Sequence, residues 1–166
     1  MTLSAGLLLT STLLCALVTG FVFTYAVIVM PGLAKLADKE FIRAFQVTDK
    51  VIQNNQPIFM IVWIGSMISV IGTVIVSLMD PYAVATGLVI ITGFVYLLGV
   101  QGLTVLVHLP LNRRIQRVNV GERDASALRE ERFLFEARWM RFNWIRTLIG
   151  LGVTVAFMVA LSLKAS

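Results

Sequence analysis

The sequence predicts an all-α integral membrane protein, a bundle of four transmembrane helices with short amphipathic helical segments in two loops. Three observations carry that prediction. Apolar residues make up 58% of the chain and charged residues 14%, against roughly 45–50% and about 25% in soluble domains, so there is too little polar surface to cover a fold in water. The apolar residues gather into four runs, each near the ~20 residues that a helix needs to cross a hydrocarbon core. The basic residues fall almost entirely between those runs. With 166 residues the chain makes one domain.

The first run, Thr2 to Ala34, carries no charge. A signal peptide opens with positive charge, and here the first basic residue is Lys35, so a retained helix over about 3–30 is expected. Met30-Pro31-Gly32-Leu33 should end or kink it. Asp38 then offers a cap for a short helix with Phe41, Ile42, Phe45 and Ile52 largely on one side. The second span is predicted at 57–79. Its Gly65, Ser66, Ser69, Gly72 and Thr73 are small residues that let helices approach closely. An Asp80-Pro81 turn makes an antiparallel hairpin with the third span, 82–109, in which His108 is the only group titrating near neutrality. Asp124 or Ser126 can cap a further segment through Leu128, Phe133, Phe135 and Trp139. Both loop segments either lie in the headgroup layer or extend the spans as solvated helix. The fourth span, 144–163, is minimal, with Trp144 and Ile145 extending a shorter apolar run.

Lys and Arg counts set the orientation. The stretch 31–56 holds four, 113–146 holds nine, and the remaining one is Lys164. The two basic loops share one face, and the positive-inside tendency puts it in the cytoplasm, with both chain ends outside. A bacterial inner membrane is the expected location. Basic residues confined to loops between spans argue for this orientation signal and against nucleic acid as a partner.

Several chemistries are excluded or disfavoured. A lone Cys15 and a lone His108 cannot build a zinc cluster or an internal disulfide, and no metal site is expected. One histidine cannot ligate haem from both faces, although His with Met or with an open position can. No Glu-x-x-His pair supports a di-iron site. No Asp or Glu lies mid-span, against a proton-coupled transporter. No phosphate-binding glycine loop is present.

Two helix ends concentrate the remaining polar groups. Gln101, Thr104, His108 and Asn112 follow helical spacing and form one stripe, which should face the bundle because polar groups in lipid are costly. The stripe marks either a ligand site or a helix end whose groups neighbours satisfy. Trp139, Phe142, Asn143, Arg146 and Thr147 open the fourth span as an interfacial belt or as the facing wall of the same site. Tyr25 is either an interfacial aromatic or part of that wall, and Gln53-Asn54-Asn55-Gln56 adds amides at the same level. Convergence of Tyr25, His108, Asn112, Asn143 and Arg146 on one pocket is therefore expected.

Tyr25…Met30-Pro31-Gly32-Leu33, then Pro110-Leu111-Asn112, then Trp139-x-x-Phe142-Asn143-x-x-Arg146-Thr147 resembles the anthrone-oxygenase-like family of small membrane proteins. The likeness runs over almost the whole chain. Two positions depart from the family pattern: His108 stands where bacterial relatives often carry Asn, and Phe142 where Trp is common. The resemblance implies oxidation of a hydrophobic anthrone or polyphenol by dioxygen without a classical cofactor. It implies His108 as base, Asn112, Asn143 and Arg146 as holders of the developing oxyanion, and Tyr25 as a group that orients the phenol. Trp139, Gln101 and Thr104 complete the expected substrate contacts. The partners are then membrane lipid and a flat aromatic molecule, and a homo-oligomer is compatible with this. A non-enzymatic membrane subunit, or a quinone-, lipid- or haem-binding four-helix protein, is the competing class.

Overall fold

Chains with long uncharged runs fold into long helices in lipid because every backbone N–H and C=O must find its partner within the segment. The computed structural model describes residues 2–79 and 85–165. The expected Asp80-Pro81-Tyr82 turn lies outside the described residues. Five helices follow one another: α1 (Leu3–Leu33), α2 (Asp38–Gln53), α3 (Pro57–Met79), α4 (Thr86–Gln116) and α5 (Ala125–Ala165). All but α2 are long and apolar enough to cross a membrane, and the protein is an integral membrane protein of four helices.

Two prolines that were expected to end or weaken helices are instead absorbed. A proline ring clashes with the carbonyl four residues before it. In α1 a π-helical turn, Tyr25–Val29, precedes Pro31 and closes with the Met30 N–H on the Tyr25 carbonyl. In α4 a second one, Thr104–His108, precedes Pro110 and closes with the Leu109 N–H on the Thr104 carbonyl. The widened turn makes room for the ring, so each helix continues for another turn or two. A third π segment spans Tyr96–Gly102.

The four long helices form a ring in the order α1, α3, α4, α5, each packed on its two neighbours. Small side chains set the close approaches. Ser11 of α1 bonds Thr73 of α3 at 2.9 Å. A methyl placed on Gly93 would lie 2.4 Å from Val74, and one on Gly150 would lie 2.5 Å from the Thr19 hydroxyl. The α3–α4 seam closes tightly from Thr86 to Tyr96, whose hydroxyl pairs with Ser66 at 2.6 Å. Beyond Tyr96, towards the basic end, the two helices part.

The loop segments do more than extend spans. Asp38 and Glu40 in the first turn of α2 and Lys50 in its last complement the helix dipole. Its buried Phe41, Ile42 and Phe45 face Leu128, Phe135 and Trp139 of α5, with Phe45 4.6 Å from Phe135 and 5.8 Å from Trp139 between ring centroids. The apolar side of α2 therefore meets protein rather than headgroups. The segment before the fourth span is continuous with it, a single helix of 41 residues that at ~1.5 Å per residue runs about twice the hydrocarbon thickness. Asp124, not Ser126, caps it: its carboxylate accepts from the Ala127 N–H and the Ser126 hydroxyl, both at 2.8 Å, which holds its pKa below the usual value. Arg132 ties the pieces together. It donates to the Ala34 and Leu36 carbonyls that end α1 and pairs with Asp38 and Glu136.

Candidate functional site

Where α3 and α4 part, a cavity of about 270 Å³ opens between the two hydrophobic cores. Each flanking element contributes for a local reason. The π turn of α1 presents Tyr25, and α4 presents Gln101, Thr104, His108 and Asn112 from its widened stretch. Helix α5 supplies Trp139 and Arg146. Helix α2 closes the basic end with Phe45, Asp49, Ile52 and Gln53, and Phe21, Phe59, Met60, Trp63 and Met67 line the rest. The aromatic side is continuous, since Phe21 contacts Tyr25, Phe59 and Trp63, and Phe59 stacks on Trp63 at 5.2 Å.

His108 is 2% exposed, and neither ring nitrogen has a hydrogen-bond partner in the protein. The Phe142 carbonyl is near the ring without reaching hydrogen-bond geometry. The imidazole stands edge-on to Trp139 at 5.0 Å, and the Arg146 guanidinium lies over the same indole at 5.6 Å. Leaving a buried polar group unpaired costs about 1–3 kcal/mol, so a ring held this way is either a cost without return or waiting for a ligand.

Arg146 is 4% exposed, and among the described residues no carboxylate pairs with it. Its Nε donates to Asn143 at 2.9 Å and one terminal nitrogen to Thr104 at 3.2 Å. A guanidinium has five N–H donors, so donors remain for a guest. Asn143 lies behind it, fully buried and outside the cavity wall, anchored by donating to the Val22 carbonyl at 3.0 Å. It positions Arg146 rather than touching the space.

Asn112 reaches the wall with most of its amide committed. Its oxygen accepts from the Trp139 indole at 2.9 Å and its nitrogen donates to Asp49 at 2.7 Å. Sequence reasoning passed over Asp49. Its carboxylate is 2% exposed and accepts from Asn112, from Gln116 at 2.9 Å and from Gln53 at 3.4 Å. Burial pushes its pKa up, against the lowering effect of these donors. The available signal was an acid on the apolar side of an amphipathic helix, one turn past Phe45. The cavity thus has a buried cation and a buried anion in its walls, with an imidazole and an aromatic slot between the helices that carry them.

All eight predicted positions meet around this cavity, seven in its wall and Asn143 one contact behind. No cluster able to hold a metal ion is present among the described residues. A family model described as Anthrone oxygenase matches residues 51–156. That span includes every predicted site residue except Tyr25, and excludes Asp49. No curated protein and no solved structure matches the chain.

Proposed function

This chain belongs to the anthrone oxygenase family, and we propose that its cavity oxidises a flat, hydrophobic anthrone-type or polyphenolic molecule with dioxygen. Family membership supports an oxygenase-like role; the substrate class and the roles of the residues are our reading. The observation that carries it is His108, buried and unpartnered in the wall of an aromatic-lined cavity beside an arginine with donors to spare.

The chemistry follows from those groups. The methylene carbon of an anthrone is acidic because the resulting enolate is spread over the rings. A neutral His108 nitrogen takes that proton, and Arg146 stabilises the negative charge gathering on the ketone oxygen. The electron-rich enolate passes one electron to dioxygen, and the two radicals combine to form a carbon–oxygen bond. The resulting hydroperoxide loses its remaining carbon-bound proton as the O–O bond breaks. The hydroxide that departs takes the proton held by the imidazolium and leaves as water. One dioxygen is consumed, and one quinone and one water are formed. Asn143 holds Arg146 in position. Asn112 ties Trp139 to Asp49 and so fixes the slot in which the rings lie.

The same walls fit a quinone held as a ligand, since Arg146 can donate to a carbonyl and Phe59 and Trp63 offer a stacking face. We place the protein in a bacterial inner membrane with the basic loops cytoplasmic, on the Lys and Arg asymmetry. The test is dioxygen uptake and quinone formation from an anthrone by purified protein in detergent. One quinone per dioxygen, above the rate in empty detergent, supports the reading. A rate equal to empty detergent rejects it, and a quinone band in the visible spectrum of the purified protein would then favour the ligand role.

A further inference from the structure

The cavity has a side exit, and its position says where the guest comes from. Helices α3 and α4 are tightly joined from Thr86 to Tyr96, where Gly93 lies against Val74 and Ser66 bonds Tyr96. Below Tyr96 no comparable packing joins them, and the gap between them is the cavity itself. Met60 and Met67 of α3 form one edge of this gap; Val105 and Leu109 of α4 form the other. Val105 lines the cavity and is also 58% exposed on the outside of the bundle. The surface flanking the gap is aliphatic: Ile61 and Ile64 on α3 and Leu106 on α4 are exposed, with no charge on either strip. Such a strip lies against acyl chains.

The other three seams differ. Along α1–α3, α1–α5 and α4–α5 the helices interlock through small residues, as where Gly65 and Gly72 receive Leu14 and Leu7, Gly150 meets Thr19, and Gly99 meets Ile149. The basic end is floored by α2, with Phe45 and Ile52 at the cavity and the Asp49 amide clamp beneath them. The π segments Tyr96–Gly102 and Thr104–His108 occupy the stretch of α4 that leaves α3. Methionines on one edge suit a passage that must deform, being unbranched and flexible.

From this arrangement we infer that the gap between α3 and α4, edged by Met60, Met67, Val105 and Leu109, is a lateral portal through which the cavity takes its guest from the lipid bilayer. The inference rests on the cavity being a ligand site, as proposed above. It further requires that the guest be dissolved among acyl chains before it binds, which selects neutral, flat, lipophilic molecules over charged analogues of the same ring system.

The experiment uses the full chain in liposomes and 9,10-anthraquinone, an unreactive probe that quenches indole fluorescence. Met60→Phe/Val105→Phe narrows the gap. A portal predicts association slowed by about tenfold or more, with Kd kept within about twofold because a gate retards entry and exit alike. An unchanged association rate overturns the inference. Anthraquinone-2-sulfonate, which stays in water, should associate far more slowly than the neutral probe with wild type; equal rates also overturn it. A second arm needs neither ligand nor a folded double variant. In Trp144→Phe protein, which lacks the half-exposed lipid-level tryptophan, lipids brominated on their acyl chains should quench the cavity indoles. Added anthraquinone should protect them. No quenching by brominated lipid overturns the portal. Quenching without any anthraquinone binding keeps the portal and sinks the substrate reading.

Discussion

Asp49→Asn separates the role of the buried carboxylate from that of its surroundings. The native side chain presents only acceptors to three amide donors, from Asn112 at 2.7 Å, Gln116 at 2.9 Å and Gln53 at 3.4 Å. An asparagine keeps one oxygen and replaces the other with an NH₂ group. With the oxygen towards Asn112, the two glutamine donors face a donor; flipped, Asn112 does. At least one buried donor then goes unpaired, at a cost of about 1–3 kcal/mol. For a chain of this length that lowers Tm by about 2–4 °C per kcal/mol. The pH dependence has a definite sign. Burial raises the Asp49 pKa in the folded state, so the folded protein binds this proton more tightly than the unfolded chain. The stabilisation from protonation is fully present below the ordinary carboxylate value and is lost as pH rises through the raised one. Asparagine has no such slope. Thermal melts in detergent from acid to neutral pH should therefore show Asp49→Asn below wild type, with the gap narrowing as pH rises. A gap that widens with pH would mean a carboxylate stabilised in its charged form, and would refute the desolvation argument.

Three other perturbations test separate parts. Asn143→Ala strips the Arg146 Nε of its acceptor and should cost about 1.5–3 kcal/mol of stability, the range for hydrogen bonds to charged groups, and also lower turnover because Arg146 is no longer held. Gly150→Ala puts a methyl 2.5 Å from the Thr19 hydroxyl and 3.2–3.3 Å from two of its carbons, so α1 and α5 must move apart at a cost of about 1–3 kcal/mol, read as a lower Tm. A cysteine at Asp80 should react with an impermeant thiol reagent added outside intact cells, Cys15 being fully buried and silent; labelling only after the membrane is opened would reverse the orientation.

Much of the bundle was legible because lipid leaves few alternatives: four uncharged runs must become four helices. The polar stripe on α4 was legible for the same reason, since Gln101, Thr104, His108 and Asn112 had to point inward. Other features were hidden by their dependence on partners. The prolines read as helix ends, but Pro31 and Pro110 are tolerated because a π turn precedes each, and that choice is made by packing rather than by local composition. Asp49 looked like one polar residue of a surface helix until Phe41 and Phe45 docked on Phe135 and turned that face inward. Asn143 was grouped with the ligand contacts by spacing alone. Only the Val22 carbonyl, on another helix, shows that it stands one shell back.

The oxidation proposed for the cavity is tested most directly by the rate of quinone formation from an anthrone under air, in purified wild type and in His108→Ala shown by anthraquinone binding to be folded. Wild type should exceed empty detergent and consume one dioxygen per quinone, and the variant should lose about 10²–10⁴-fold, the contribution of a general base. Equal rates in wild type and His108→Ala would contradict His108 as the base, and a wild-type rate no higher than empty detergent would contradict the oxidation itself.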